Sequence, residues 1–154
     1  MTASAPDATV HASAVRIGER AVLIRGPSGS GKSRLALELI LAARTGVIAP
    51  AELVGDDRVH LTNEAGLLVV RPAEGLAGLL EVRGLGIRRL AFAAQAEVAL
   101  VVDLDASDAA RLPEAWSLEA ELNGVKLPRI PVGKGLSAVP LVIAALTTRP
   151  GAVI

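Results

Sequence analysis

The stretch VLIRGPSGSGKSRLALEL, residues 22 to 39, packs glycines and serines between an aliphatic run and a helix-like run. Gly26, Gly31, Lys32 and Ser33 fit G-x-x-x-x-G-K-[ST], the loop whose curled backbone points its N–H groups at phosphates. Over Gly26, Pro27, Ser28, Gly29, Ser30, Gly31, Lys32 and Ser33 this predicts a nucleotide site. Lys32 would reach the outer phosphates, and the Ser33 hydroxyl would hold Mg²⁺. A Gly/Ser turn that happens to precede a lysine is the bland alternative, but the flanking strand and helix patterns argue against it. Two further acidic features could serve a phosphoryl group. Asp56 and Asp57 are adjacent, so on an extended strand they would face opposite ways and only a strand end or bulge lets both act at one place. Asp103 ends EVALVVD, where an ordinary P-loop NTPase places its metal-binding carboxylate.

The elements that must position these residues follow from periodicity. AVLI reads as a buried strand and SRLALELILAA as a helix, after which Gly46 and Pro50 act as breakers. VHASAVRIGERAVLI reads as two strands around a turn at Gly18-Glu19. LVGDDRVHL reads as a strand carrying the acidic pair, then TNEAG as a turn into LLVVRP, a hairpin. AEGLAGLLEVRGLGIRRLAF reads as a helical start running into a Gly-punctuated loop. EVALVVDLD is a buried strand, ASDAARLPE a polar loop, and WSLEAELNGVKLPRIPV a pair of short strands around Asn-Gly. LSAVPLVIAALTTR closes as a helix with Pro140 in its first turn. The alternation predicts an α/β fold with a mixed sheet flanked by helices. Residues 1–9 lack periodicity and are expected to be unstructured, leaving residues 10–154 as a single P-loop domain.

Composition narrows the function classes. Sixteen basic and sixteen acidic residues give no net charge, and one Phe and one Trp leave no stacking platform, so nucleic acid is not an expected partner. Cysteine is absent, which excludes thiol chemistry. The N-terminus lacks the features of a secretion signal and no apolar run reaches membrane-span length, so the expected location is cytoplasmic. The 51% apolar content leaves surface for self-association.

The P-loop, GDDRVHL and LLEVRGLGIRRL together resemble the catalytic domain of the HPr kinase/phosphorylase family, from about His11 to Val132. LEVRGLGIRR, residues 80 to 89, looks like that family's signature, and His11 lies 21 positions before Lys32, where the family has a functional histidine. The resemblance implies a P-loop fold of the phosphoenolpyruvate-carboxykinase type. It implies ATP and Mg²⁺ as cofactors, and phosphorylation of a serine on HPr, a small carrier of the sugar phosphotransferase system. It also implies the reverse removal of that phosphate by inorganic phosphate, and a homo-oligomer, a hexamer in the family. Asp57 would then be the base that takes the serine proton, with Asp56 at the metal or holding Asp57. Glu81 would be a second metal contact beside Ser33. Arg83, Gly84 and Gly86 would form a signature loop whose glycines permit close backbone approach, and Arg83 would neutralise phosphate or orient Glu81. His11 would stabilise phosphate or Asp57, and Arg111 would spread transition-state charge. His60 matches no motif and reads as structural.

Three departures from the family pattern stand out. The longer members carry an additional N-terminal domain, and this chain resembles the truncated form that lacks it. TGVIAPAEL lengthens the link between the P-loop helix and the acidic pair. The family's arginine-rich dephosphorylation loop is reduced to PVGKG, residues 131 to 135, with Lys134 as its cation, which weighs against the reverse activity. Two other functions compete: a P-loop small-molecule kinase, against which the lack of an Arg-rich lid argues, and a nucleotide-sensing regulator without transferase activity, which would need no base.

Overall fold

The computed structural model describes residues 8–151, so the expectation for residues 1–7 lies outside the described region. Two antiparallel strands, β1 (Ala12–Ile17) and β2 (Arg20–Arg25), lead into the P-loop and helix α1 (Lys32–Arg44). Strand β3 (Ala51–Gly55) is followed by the hairpin β4 (Val59–Glu64) and β5 (Leu67–Pro72), then the hairpin β6 (Leu79–Val82) and β7 (Gly86–Arg89). The chain continues through β8 (Ala96–Asp103), a 3₁₀ turn at Ala115–Leu118, β9 (Glu119–Leu122), β10 (Val125–Pro131) and α2 (Val139–Thr147).

Eight strands form one sheet along the path β3-β1-β2-β8-β10-β9, with the β4–β5 hairpin joined through β5 to the start of β8. β2–β8 and β8–β10 are parallel and the remaining pairs antiparallel, so the sheet is mixed, as the hairpin pattern predicted. Both faces of the central strands are buried. Val15, Val22, Ile24, Leu100 and Val102 pack under α1 and α2 with Leu35 and Leu39. Ala14, Leu23, Val98 and Val101 face the opposite way, against Leu61, Leu68 and Val70 of the β4–β5 hairpin. This explains the continuous apolar runs in β2 and β8.

One irregularity in β8 sets the direction of its end. Ala21 pairs with Val98 but Val22 pairs with Leu100, so Ala99 is an extra residue. Such a bulge inverts side-chain alternation downstream. Val98 therefore faces the hairpin layer while Leu100, Val102 and Leu104 face the helices. Asp103, between the last two, points away from α1.

Two readings of the sequence differ from the structure. LVGDDRVHL is two strands, not one: β3 ends at Gly55, β4 begins at Val59, and the acidic pair forms the turn between them. A Cβ at Gly55 would sit 2.6 Å from Val59 Cγ1, so only glycine lets the chain double back there. The helical start expected at AEGLAGLL is absent. Gly75 and Gly78 adopt φ of 78° and 74°, and the backbone closes into turns at Ala73–Leu76 and Leu76–Leu79. Left-handed glycines that close together interrupt a helix before it can nucleate. The Asn-Gly turn forms as expected, with Asn123 and Gly124 at positive φ of 50° and 79°. Its tip is fastened to the β4–β5 hairpin by Asn63 Nδ2 donating to the Asn123 carbonyl and Asn123 Nδ2 donating to the Leu61 carbonyl. At the other side of the sheet, β3 is partly covered by Phe92–Ala93, where Ala93 N–H donates to the Leu53 carbonyl.

Candidate active site

The P-loop connects the end of β2 to α1, and its glycines supply the required curl. Gly29 and Gly31 have φ of 80° and 102°, and a Cβ at Gly26 would lie 2.5 Å from Ser30 Oγ. Helix α1 starts at Lys32, so its positive dipole end and free N–H groups face the loop. Lys32 is only 6% exposed, and its ammonium donates to the carbonyls of Gly26 at 2.9 Å and Pro27 at 3.0 Å. With three protons, the ammonium keeps one donor beyond these two carbonyls. Burial pushes Lys32 below its ordinary pKa, while the charges of Asp57 and Asp56 oppose that shift.

Asp56 sits under the loop and is 4% exposed. Its carboxylate accepts from Ser33 Oγ at 2.8 and 2.9 Å, from Ser13 Oγ at 2.6 Å, and from the Glu81 N–H at 3.1 Å. Four segments of the chain meet at this one group. Ser33 spends its proton on Asp56, leaving the oxygen lone pairs free for a cation. Asp57 turns the other way. Its φ of 67° lies in the left-handed region, which Asp tolerates better than most side chains but still at a cost of about 1–3 kcal/mol. Its carboxylate is 67% exposed and lies 3.2 Å from His11 Nε2. The turn at the strand break thus separates the pair, one carboxylate into the loop and one into the cleft.

The cleft has a volume of about 830 Å³. It is lined by residues 28–33, by His11, Asp57, Glu81 and Arg83, and by a wall from the segment after β10, Val132, Gly133 and Gly135–Ala138. Glu81 and Arg83 come from the β6–β7 hairpin, the structure of the signature stretch. A Cβ at Gly84 or Gly86 would meet nothing within 4 Å, while their φ values are 89° and 102°. These glycines therefore supply the left-handed conformations of the tight turn between β6 and β7. Arg111 is exposed on the loop beyond β8 and does not line the cleft. His60 lies on β4, outside the cleft.

Asp103 occupies a different setting. Arg25 grips it with two bonds of 2.7 and 2.8 Å, and Arg129 donates to it from Nε. Arg129 also bonds Asp108 and the Ser117 carbonyl. Burial pushes the Asp103 carboxyl up, but the hydrogen bonds and charges of Arg25 and Arg129 outweigh it and hold the group below its ordinary range. Asp103 is thus a tie between strand ends, with no part in the cleft lining.

The residues near Ser33 suit a hard divalent cation. Ser33 hydroxyl, Asp56 and Glu81 are all oxygen donors, and Mg²⁺ typically takes one or two carboxylates with substrate phosphates completing its shell. No cluster of three or more His, Cys, Asp or Glu occurs among the described residues, so phosphate oxygens would have to complete the coordination.

Sequence reasoning missed Ser13. The signal was a polar residue inside the buried stretch ASAV, at a position whose neighbour on the same face, Val15, lies in the core. It also missed that the Glu81 backbone, and not only its side chain, belongs to the site.

This geometry, a P-loop facing a split acidic turn and a signature hairpin, defines a phosphate-handling α/β domain. The family model described as HPr Serine kinase C-terminal domain matches residues 2–149, and the chain belongs to that family. It is 34% identical to the HPr kinase/phosphorylase of Mycoplasma mycoides over 92% of this chain and 47% of the relative. It is 36% identical to that of Geobacillus thermodenitrificans over 94% of this chain and 49% of the relative. The chain therefore spans about half the length of the curated relatives it matches. Among solved structures, the Hpr(Ser) kinase/phosphatase from Coxiella burnetii superposes with a TM-score of 0.69 at 27% identity, covering 91% of this chain and 93% of that one.

Proposed function

We propose that this chain transfers the γ-phosphoryl group of ATP to a serine of HPr or an HPr-like carrier protein in the cytoplasm. The observation that carries this reading is the placement of Asp57: an acidic side chain 67% exposed at the cleft mouth, beside His11 and across from the P-loop. A base that stands in the open can be reached by a hydroxyl on a folded protein, whereas a kinase for a small molecule would enclose its substrate. A pure nucleotide sensor would need no base at all.

In this mechanism the P-loop N–H groups and Lys32 bind the phosphates and offset the charge that gathers on the β–γ bridging oxygen as its bond to phosphorus breaks. Asp57 accepts the serine proton as the hydroxyl oxygen attacks the γ-phosphorus, and His11 holds Asp57 in position. Ser33, Asp56 and Glu81 would hold Mg²⁺, which supplies neutralisation of phosphate charge when bound. Arg83, exposed on the cleft wall, is placed to meet phosphate or the incoming protein. The relatives' names also include phosphorylase. In that direction an oxygen of inorganic phosphate attacks the phosphoserine phosphorus and forms pyrophosphate, the bond from phosphorus to the serine oxygen breaks, and Asp57 returns the proton to that oxygen. Exposed Leu85, Ile87, Leu112 and Trp116 support self-association.

The test is incubation of the purified protein with ATP, Mg²⁺ and the HPr of its own organism, followed by mass spectrometry of the carrier. Phosphoserine is the expected product. Tight ATP binding with an unmodified carrier would instead favour the sensor.

A further inference from the structure

Ser13 is 0% exposed on β1, where the other fully buried positions, Ala12, Ala14 and Val15, are apolar. Strand alternation puts it on the same face as Val15, towards α1, directly over the P-loop helix. Its hydroxyl makes one hydrogen bond, a donation of 2.6 Å to Asp56 Oδ1. The same oxygen also receives Ser33 Oγ, while Oδ2 receives Ser33 Oγ and the Glu81 N–H. A buried carboxylate needs hydrogen-bond donors around it, and these fix which way it faces. Of the three donors, Ser33 is needed by the nucleotide site, and the Glu81 N–H belongs to a hairpin that makes its own separate two-stranded sheet. Ser13 alone comes from the central sheet: its backbone pairs with Ile24 of β2, and the next residue, Ala14, pairs with Gly55 of β3.

We propose that Ser13 is a positioning residue: its hydroxyl anchors Asp56 to the rigid sheet, so that the carboxylate stays turned towards Ser33 and the divalent cation of the bound nucleotide. The inference rests on the nucleotide-site reading above. Ser13 touches neither nucleotide nor protein substrate, so it acts through the metal-side carboxylate and not on the chemical step. Loss of the hydroxyl leaves Asp56 with two donors, one of them on the separate hairpin. Weaker cation-dependent nucleotide binding follows, with phosphoryl transfer nearly intact once Mg²⁺ is saturating.

The test uses the full chain and calorimetric binding of a non-hydrolysable ATP analogue, with Mg²⁺ and with EDTA. Ser13→Ala is expected to weaken binding about tenfold in Mg²⁺ and to leave binding in EDTA unchanged. Ser13→Thr, which keeps the hydroxyl, should restore the Mg²⁺-dependent increment, and Ser13→Val, matched to Thr in shape, should not. The Thr/Val pair also decides the matter if the Ala variant folds poorly. Equal binding by Ser13→Thr and Ser13→Val, or an equal loss in EDTA, would overturn the proposal and leave Ser13 as a packing residue. Asp56→Asn separates this from the underlying reading. If Asp56→Asn loses the Mg²⁺ increment while Ser13→Ala keeps it, only the role of Ser13 fails. If Asp56→Asn keeps it, the metal-side assignment of Asp56 fails as well.

Discussion

Asp56 and Asp103 are both largely buried carboxylates at or just beyond the ends of sheet strands that neighbour the P-loop, yet they do different work. Asp56 accepts its hydrogen bonds from hydroxyls and one N–H, while the Lys32 ammonium acts on it without a direct bond. Asp103 is clamped between Arg25 and Arg129, so its charge is already spent. The cause lies in strand geometry. The bulge at Ala99 turns Asp103 to the face away from α1, whereas Asp56 lies in a turn past the end of β3 and bends under the loop. Position near a P-loop is therefore not enough to identify a metal-side carboxylate.

The contrast can be broken at its strongest point first. Asp57→Asn, at the exposed half of the acidic turn, should slow phosphoryl transfer by about 10²–10⁴-fold, the usual contribution of a general base. Nucleotide affinity should stay within a few fold, since the substitution leaves Lys32, Ser33 and Asp56 in place. Normal transfer rates would remove Asp57 as the base.

The other pole is tested by Arg129→Met, which leaves Asp103 with Arg25 alone and Asp108 without its partner. Breaking a buried ion pair costs about 3–5 kcal/mol. The melting temperature should fall by on the order of 10 °C, while the folded protein binds nucleotide normally. Lost nucleotide affinity at unchanged stability would mean that Asp103 serves the site after all.

A pH titration sharpens the difference further. The folded Asp103 carboxyl lies below its ordinary value, so the unfolded chain binds more protons than the folded one in acid. The stabilisation it contributes is complete above the unfolded value of about 3.9 and is lost as pH falls through the lower folded value. The melting temperature of the parent protein should drop across this window, and Asp103→Asn should flatten that drop. An unchanged slope would show that the network does not carry acid stability.

The smallest effect is expected at the strained turn. Asp57→Gly accepts the positive φ without strain and should raise the melting temperature by a few degrees, for about 1 kcal/mol, with transfer slowed as in Asp57→Asn. A fall in stability would mean that the His11 contact outweighs the backbone strain.

Much of this site was legible in the chain, but unevenly. Gly26 to Ser33 announced themselves through residue type and spacing because the backbone curl demands glycine at fixed points. The adjacent carboxylates were visible, but their separation into a buried and an exposed member was not, because it depends on a single left-handed residue at Asp57. Ser13 carries no periodic signal: its partner lies 43 positions away, and only tertiary pairing brings them together. The helical start misread at residues 73–78 shows the reverse problem, since Leu and Ala at helical spacing cannot outvote two left-handed glycines. Asp103 looked like a metal ligand because one extra residue in β8 is invisible to alternation counted from either end.

The tied β9–β10 turn and the covered flank of β3 carry a consequence for how copies of the chain can meet. An outermost strand with free N–H and C=O groups invites another chain to add on, and fibrils grow that way. Here β9 is only four residues long, and its turn is buttoned to a neighbouring hairpin by two asparagine side chains. At the opposite margin, Phe92–Ala93 shields part of β3. These two margins thus offer little open border for strand-on-strand addition, so contacts between copies would form through side-chain surfaces and not by extending the sheet there.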